Sequence, residues 1–255
     1  IDDFAPQLSF FFNVHDDFFE EIAKFRAARR IWATELKNKY KAKTDRSCWL
    51  RTHAQTSGAT LTKQQPENNV VRVSLQALAA TLGGIQSLHT NAMDEAISLP
   101  SENSAQLALR TQQIIANEIG ISNAVDPFGG SYHLEQLTNQ IEKECYAYFK
   151  LIKENGGVRG SITNGFFVRE IADSARKYQQ DIEKTNITKI GVNKFVQNEE
   201  MPQEVFNNNS QQQQLHITRL NHTRSIRDNN KIKKLLSDLR TVSKTNQNLM
   251  PLLIQ

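Results

Sequence analysis

The first half of the chain alternates short, strand-like runs with longer segments of helical periodicity. Strands are predicted over three ranges, residues 8–15, 47–55 and 86–91,. A helical pattern follows each of them: after a cap at Asp16 or Asp17, after the turn at Pro66, and over residues 102–119,. Repeated strand–helix units predict parallel strands that are joined by right-handed crossovers.

The second half of the chain changes character. Residues 126–131 (Asp-Pro-Phe-Gly-Gly-Ser) are typical of a turn,. Further helices are predicted over residues 134–155, 166–183 and 230–242,. We therefore expect three parts: βα units in 1–125, a helical continuation in 126–196, and an Asn/Gln-rich linker or tail with a short basic helix in 197–255,.

Polar residues recur on one face of the predicted strands. Arg51, His53 and Gln55 share one face of the second strand, and Ser87 and His89 share one face of the third,. Parallel strands that are flanked by helices are normally apolar on both faces, and burying an unpartnered polar group costs about 1–3 kcal/mol. The pattern therefore predicts a barrel whose interior is lined for a polar ligand.

Three histidines, His15, His53 and His89, fall at or near the ends of the predicted strands, where barrel enzymes place ligands and catalytic groups,. Each is either a hydrogen-bonded packing residue or a site residue. No His-x-His or His-Glu-x-x-His spacing supports zinc, so no metal site is predicted. Asp94 and Glu95 follow the third strand. A carboxylate there could hold ribose hydroxyls, act as acid or base, cap the next turn or be a solvated charge.

Composition narrows the class of protein. Of 255 residues, 38% are hydrophobic and 23% are charged, and the net charge of +4 is too small to indicate nucleic acid binding,. No run of about 18 apolar residues is present, so no membrane helix is expected, and no leader marks secretion. Cys48 and Cys145 are far apart, which argues against a disulfide framework and fits a reducing, cytoplasmic compartment,. Because the chain begins at Ile1, we expect a fragment.

Several longer motifs occur in one order along the chain. They are Leu-Ser-Phe-Phe-Phe (8–12), Phe-Arg-Ala-Ala-Arg-Arg (25–30), Arg-Thr-His-Ala-Gln-Thr-Ser-Gly (51–58), Asn-Asn-Val-Val-Arg (68–72), Gln-Ser-Leu-His-Thr-Asn-Ala-Met-Asp-Glu-Ala (86–96), Asp-Pro-Phe-Gly-Gly-Ser-Tyr (126–132) and Gly-Val-Asn-Lys-Phe (191–195). Over roughly residues 4–196 the chain resembles the large, catalytic subunit of the methylmalonyl-CoA mutase family.

The resemblance implies an α/β fold: the C-terminal portion of a (β/α)8 TIM barrel, followed by helices and a linker-like tail. In that family the barrel threads an acyl-CoA along its axis, and adenosylcobalamin on a separate cobalamin-binding domain caps it. The implied activity is the radical isomerisation of methylmalonyl-CoA and succinyl-CoA, in which the cofactor carries the radical chemistry. The alternative is an isobutyryl-CoA or hydroxyacyl-CoA mutase subunit.

The resemblance also implies roles for individual residues. His53 and Gln55 match catalytic positions, and Gln55 faces the cofactor as well. Glu95 and Ala96 match the pair beside the ribose of the adenosyl group. The expected cofactor-binding residues are therefore Gln55, Glu95 and Ala96.

Coenzyme A is implied to contact Gln7, Ser9 and Arg51. The family usually has Arg where this chain has Gln7. An amide cannot make the charge-assisted contact of a guanidinium, so we expect weaker binding of coenzyme A at this position.

Two parts of the family pattern are absent from the chain. The early barrel strands would precede Ile1, and the cobalt-ligating Asp-x-His-x-x-Gly motif does not occur. Three strands cannot close a barrel, so we expect no mutase activity from the chain alone. The implied partners are an acyl-CoA, a cobalamin-binding domain or small subunit, and the remaining barrel half or a paired mutase subunit, with no nucleic acid and no membrane. A non-catalytic barrel half that assembles with a partner is a further alternative.

Overall fold

Three short parallel strands form the sheet of the first part of the chain. The computed structural model describes residues 1–197 and 210–254, in two compact units, Ile1–Phe206 and Asn207–Gln255. The strands are β1 (Phe10–Val14), β2 (Thr52–Thr56) and β3 (Ser87–His89). They are hydrogen-bonded in the order β1–β2–β3 and both pairs are parallel, which confirms the predicted strand direction.

A helix follows each strand. These helices are α1 (Phe18–Asn38), α2 (Asn68–Leu82) and α3 (Glu102–Asn117). The carboxylate of Asp17 caps α1 by accepting a hydrogen bond from the backbone N of Glu20 at 3.1 Å,. Ser101 caps α3, since its Oγ accepts from the backbone N of Ser104 at 3.2 Å. Gly83 follows α2, where the sequence indicated a stop,.

One face of the sheet is buried beneath helices. Val14 of β1, Ala54 of β2, Phe25 of α1 and Ala79 of α2 are all fully buried and belong to one core cluster. Because successive strand residues point to opposite faces, the residues between these positions lie on the other face. We call it the open face, and it consists of Phe11, Asn13, His53, Gln55, Ser87 and His89.

The second strand begins later than predicted. The sequence pattern placed a strand over residues 47–55, but Ser47 belongs to a 3-10 helix, Asp45–Cys48. The carboxylate of Asp2 accounts for this difference, because it accepts hydrogen bonds from Ser47 Oγ at 2.6 Å and from the backbone N of Lys43 at 3.0 Å. The third strand is also shorter than predicted, since only Ser87–His89 pairs with β2.

Three further helices complete the first unit. They are α4 (Tyr132–Glu154), α5 (Gly157–Thr163) and α6 (Phe166–Glu183). The observed α6 has the predicted bounds, whereas α5 was not predicted. Gly156 and Gly157 have positive φ angles of 85° and 74°, and this glycine pair indicated only the end of α4,. Arg26 of α1 forms ion pairs with Asp126 and Glu135, which connects the 126–131 turn and α4 to α1.

The second unit is more helical than its composition indicated. Its helices are α7 (Ser210–Ile226), α8 (Asn229–Val242) and α9 (Met250–Ile254). The sequence pattern predicts only the short helix near 230–242, because a run of Gln residues is typical of a linker,. Gln is in fact a good helix former. Residues 198–209 of the predicted tail lie outside the described residues. Within the described part of the chain, no helix has the length and apolarity to cross a membrane.

Candidate functional site

The open face carries two rows of side chains across the three strands. The parallel register places Phe11 opposite His53, and His53 opposite Ser87. The second row consists of Asn13, Gln55 and His89. Ser87 and His89 are exposed, while His53 and Gln55 are partly buried. The structure therefore places the predicted polar residues of β2 and β3 on one shared surface.

The first row is held in place by local contacts. His53 Nδ1 is hydrogen-bonded to Ser87 Oγ at 2.7 Å, and the rings of His53 and Phe11 have centroids 5.2 Å apart. Phe11 is 59% exposed, a large value for an aromatic residue in the middle of a strand. The row combines an apolar ring with a fixed imidazole, and an acyl group with a polar carbonyl could lie against both.

The loops after β2 and β3 bring Gly58, Asn91 and Glu95 close together, and we call the site that these three residues border the Gly58 pocket. Asn91 is 2% exposed, and its Oδ1 accepts a hydrogen bond from Gln55 Nε2 at 2.8 Å. Its Nδ2 is buried without a partner among the described residues. A Cβ on Gly58 would lie 3.1 Å from Asn91 Nδ2 and 3.5 Å from the Glu95 carboxylate. An unpaired donor and an exposed carboxylate thus face the same small space.

Glu95 and Ala96 are both exposed in the loop after β3, and Glu95 contributes to the Gly58 pocket. Asp94 has a different role: it is 7% exposed, and its Oδ2 accepts hydrogen bonds from Ser101 N and Ser104 Oγ at the start of α3. Of the two acidic candidates, Asp94 therefore stabilises a helix start, and Glu95 remains available to a ligand.

The residues expected to bind coenzyme A lie together at the N-terminal ends of β1 and β2, that is, at the end opposite to the Gly58 pocket. The Arg51 guanidinium donates to the backbone O of Leu8 at 2.9 Å and 3.2 Å, next to the exposed Ser9. Gln7 Nε2 donates to the backbone O of Asp3 at 3.1 Å. Neither Gln7 nor Ser9 is buried, so both side chains are accessible at this edge of the sheet.

A cavity of about 390 Å³ adjoins this end, and its lining residues include Gln7, Asp2 and Arg46. The hydrogen bond from Ser47 and that from the Lys43 backbone hold the pKa of Asp2 well below its usual range,. The sequence analysis did not select Arg46, although a basic residue ahead of β2 was a usable signal. Arg46 brings a positive charge to the same cavity as Gln7.

His15 lies apart from the two rows of the open face. Its Nε2 is 3.2 Å from Ser57 Oγ, so it is a hydrogen-bonded residue at the end of β1. The three strand-end histidines are thus not gathered at one point. Among residues 1–197 and 210–254, no group of three His, Cys, Asp or Glu side chains could hold a metal ion.

The chain belongs to the methylmalonyl-CoA mutase family, since the sequence model of that family matches residues 1–255. It is 46% identical over 261 residues to the 2-hydroxyisobutanoyl-CoA mutase large subunit of Aquincola tertiaricarbonis, covering 100% of this chain and 46% of that protein. Identity to the probable mitochondrial methylmalonyl-CoA mutase of Caenorhabditis elegans is 43%, over 100% of this chain and 34% of the relative.

The methylmalonyl-CoA mutase of Escherichia coli strain K12 is 42% identical over 98% of this chain and 35% of its own length. The chain thus spans less than half the length of each of these relatives. The family assignment made from the motifs is confirmed.

Proposed function

We propose that this chain is part of the catalytic subunit of an adenosylcobalamin-dependent acyl-CoA mutase that interconverts methylmalonyl-CoA and succinyl-CoA. The observation that carries the proposal is the open face, which has ligand-accessible groups in its centre and at both ends of its strands. We further propose that the three strands are one sector of a (β/α)8 barrel whose interior is the open face. Parallel strands with helices on one side support this placement.

The acyl-CoA lies along the strands in this proposal. Ser9, Arg51 and Gln7 bind the coenzyme A portion at the start of β1 and β2. His53 and Gln55 bind the acyl thioester in the middle of the open face. Because Ser87 Oγ holds Nδ1 of His53, the other ring nitrogen is directed to the substrate. These side chains bind and orient the thioester and exclude water from it.

The residues at the other end fit the adenosyl group of the cofactor. The unpaired Asn91 Nδ2 offers a hydrogen-bond donor, Glu95 offers a carboxylate to ribose hydroxyls, and the absence of a side chain at Gly58 lets its backbone lie next to both. Gln55 connects the two regions because it binds Asn91. Ala96 contributes a small side chain next to Glu95. When bound, adenosylcobalamin supplies the radical chemistry of the rearrangement.

The chain needs partners for this activity. β1 and β3 each pair with only one strand among the described residues, and unpaired parallel edges are binding surfaces for further strands. We propose that the remaining barrel half or a paired mutase subunit supplies those strands, and that a cobalamin-binding domain or small subunit supplies the cofactor. The location we propose is the cytoplasm, which two unpaired thiols, Cys48 and Cys145, support,.

A hydroxyacyl-CoA substrate is the second candidate. The 46% identity to a 2-hydroxyisobutanoyl-CoA mutase large subunit over the whole chain favours it, and an isobutyryl-CoA substrate belongs to the same alternative. Gln7 in place of the family's arginine favours a third option, a non-catalytic barrel half that assembles with a partner.

The decisive experiment is a mutase assay of the chain assembled with the cobalamin-binding subunit of its source organism and, where needed, the complementary barrel half. We expect the complex to convert methylmalonyl-CoA to succinyl-CoA, and the chain alone to be inactive. His53→Ala is expected to lower kcat/KM at least about 100-fold. Turnover of 2-hydroxyisobutanoyl-CoA alone would select the second candidate. An inactive complex that still assembles would support the non-catalytic option.

A further inference from the structure

A single glutamine on α2 connects the ends of β1 and β2. Gln76 is 2% exposed. Its Nε2 donates to Asp16 Oδ1 at 2.8 Å and to Thr60 Oγ1 at 2.7 Å, and its Oε1 accepts from the backbone N of Ser57 at 3.2 Å. Both amide hydrogens and the carbonyl of this buried side chain are therefore used.

Ser57 follows β2 and begins the turn that contains Gly58, and it is one of the residues to which Gln76 is hydrogen-bonded. The backbone N of Ser57 also donates to the backbone O of Val14 at 2.8 Å, and Thr60 Oγ1 donates to the backbone O of Ser57 at 2.7 Å. Ser57 and Thr60 are each 1% exposed. The turn before Gly58 is thus fixed on one side by β1 and on the other by the side chain of Gln76.

A residue from the end of the first unit joins the same network. Lys189 is 8% exposed, and its Nζ forms an ion pair with the carboxylate of Asp16, which also accepts from Gln76. Nearby, Arg72 Nη2 donates to the backbone O of Ile190 at 2.9 Å. The segment that precedes the Gly-Val-Asn-Lys-Phe motif is therefore connected to the turn at Ser57 through Asp16 and Gln76.

The Gly58 pocket is sensitive to the position of Gly58, because the neighbouring side chains leave little room for an atom at the Cβ position. Asn91 Nδ2 lies 3.1 Å from the point where a Cβ would stand, so a shift of the turn by a few tenths of an ångström changes the width of the Gly58 pocket,. Gln76 forms no hydrogen bond with Asn91 or Glu95, and its contact with the turn is made through Ser57 and Thr60. A buried, fully bonded amide is a rigid support for such a turn.

We propose that Gln76 is a positioning residue that sets the distance between Gly58 and the Asn91–Glu95 side of the pocket, and that Lys189 supports it through Asp16. The inference rests on the proposed function for the identity of the ligand. Its physical content, the dependence of the Gly58 pocket on Gln76, is testable in the chain without any ligand.

The test uses the full chain labelled with ¹⁵N. Gln76→Leu keeps a similar side-chain volume and removes both the donor and the acceptor. We expect it to shift the backbone signal of Gly58 and the side-chain amide signal of Asn91, and to speed the amide hydrogen exchange of Ser57 about tenfold. The matched control is Gln112→Leu. Gln112 Nε2 donates to Thr90 Oγ1 at 2.9 Å, so this variant also loses an amide hydrogen bond next to Asn91, but from the other side.

Lys189→Met is the second variant, and it decides the question if Gln76→Leu does not fold. We expect it to shift the same two signals by a smaller amount, because Gln76 keeps its bonds to Ser57 and Thr60. Unchanged Gly58 and Asn91 signals in the folded variants would overturn the inference. If Gln112→Leu shifts the backbone signal of Gly58 as much as Gln76→Leu does, the inference is also overturned. The loss of any amide hydrogen bond near Asn91 would then loosen the turn.

The assembled mutase gives a functional readout. We expect Gln76→Leu to raise the KM for adenosylcobalamin about tenfold and to leave the KM for the acyl-CoA unchanged, because only the Gly58 end of the open face is affected. An equal rise in both constants would contradict the positioning role. An inactive wild-type complex would refute the proposed function, while the ligand-free NMR result would still decide the role of Gln76.

Discussion

At the scale of single residues, Gly58 determines how closely the loops after β2 and β3 can approach. Gly58→Ala is expected to leave the fold intact, since Gly58 has no positive φ angle, and to narrow the pocket because the new Cβ would lie 3.1 Å from Asn91 Nδ2. We expect the KM for adenosylcobalamin of the assembled enzyme to rise about tenfold. Steady-state kinetics with the cofactor varied would measure it.

The control for that substitution is Ala59→Ser, a small change at the next, exposed position. It should leave the KM for adenosylcobalamin at its wild-type value. If Gly58→Ala also has the wild-type value, then Gly58 does not border the adenosyl group.

We expect Asp2 to make the stability of the first unit depend on pH in the acidic range. The hydrogen bonds from Ser47 and from the Lys43 backbone lower the pKa of Asp2 from its ordinary value of 3.8. A carboxyl group with a lowered pKa in the folded state stabilises the fold above its unfolded pKa, and this stabilisation is lost as the pH falls below that value. We therefore expect the urea midpoint of Asp2→Asn to decline less below about pH 4 than that of the wild type.

Urea unfolding followed by circular dichroism at several acidic pH values would measure this difference. Asp3→Asn is the matched control, because Asp3 is exposed and its carboxylate takes no part in the hydrogen bonds that Ser47 and the Lys43 backbone make with Asp2. If the urea midpoint of Asp2→Asn declined with acid as steeply as that of the wild type, the proposed role of the Asp2 carboxylate in acid sensitivity would be refuted.

Alternation along the strands made part of the site predictable. It placed His53 and Gln55 on one face with Ser87 and His89, and the register confirms this grouping. The roles of these residues stay predictions. The buried contact between Asn91 and Gly58 could not be read from the sequence, because it depends on which two loops meet in space. Arg51 was assigned to the same face, and its guanidinium donates to the carbonyl of Leu8, just before β1.

At the scale of secondary-structure elements, Arg26 and Arg30 both form ion pairs that connect α1 to α4, and the Arg26 side chain is the more buried of the two. The Arg26 side chain is 13% exposed and pairs with Asp126 and Glu135. We expect Arg26→Met to lower the free energy of unfolding by about 2 kcal/mol, because two carboxylates lose an ion-pair partner and the contact between two helices loosens. Urea unfolding would measure the change.

Arg176→Met is the control, since Arg176 and Asp173 form an ion pair whose side chains are 68% and 69% exposed. That pair should contribute less than about 0.5 kcal/mol. If both variants lost the same free energy of unfolding, the burial of the Arg26 side chain would make no additional contribution to stability.

The elements themselves were predictable where local signals agree. The bounds of α6 follow directly from its periodicity between Gly165 and Lys184. Local sequence signals predicted the wrong structure where a distant residue determines it. Asp2, for example, holds Ser47 in a 3-10 helix instead of a strand. The local signals also failed where composition was given more weight than propensity, as in α7,.

At the scale of the whole molecule, the open face and the outer edges of β1 and β3 are surfaces that the described residues of the first unit do not bury. The isolated chain is therefore expected to self-associate as its concentration rises. Light scattering coupled to size exclusion would measure this. Phe11→Lys should reduce the association, since Phe11 is 59% exposed on the open face.

Val71→Lys is the matched control, because Val71 is 60% exposed but lies on α2, away from the open face. If both variants associate like the wild type, or if the wild type stays monomeric, the open face is not a contact surface in solution. Addition of the complementary barrel half should suppress self-association by occupying the same edges.

The length of β2 determines how long a ligand must be to contact both ends of the sheet. Five residues, Thr52–Thr56, separate Arg51 from the Ser57 turn, and an extended strand advances about 3.3 Å per residue. The distance along β2 from Arg51 to Ser57, which is six residue steps, is therefore about 20 Å. Under the proposed function, a truncated thioester that lacks the nucleotide half of its carrier would reach His53 but leave Ser9 and Gln7 unoccupied, so the length of the ligand would contribute to selection alongside its chemistry.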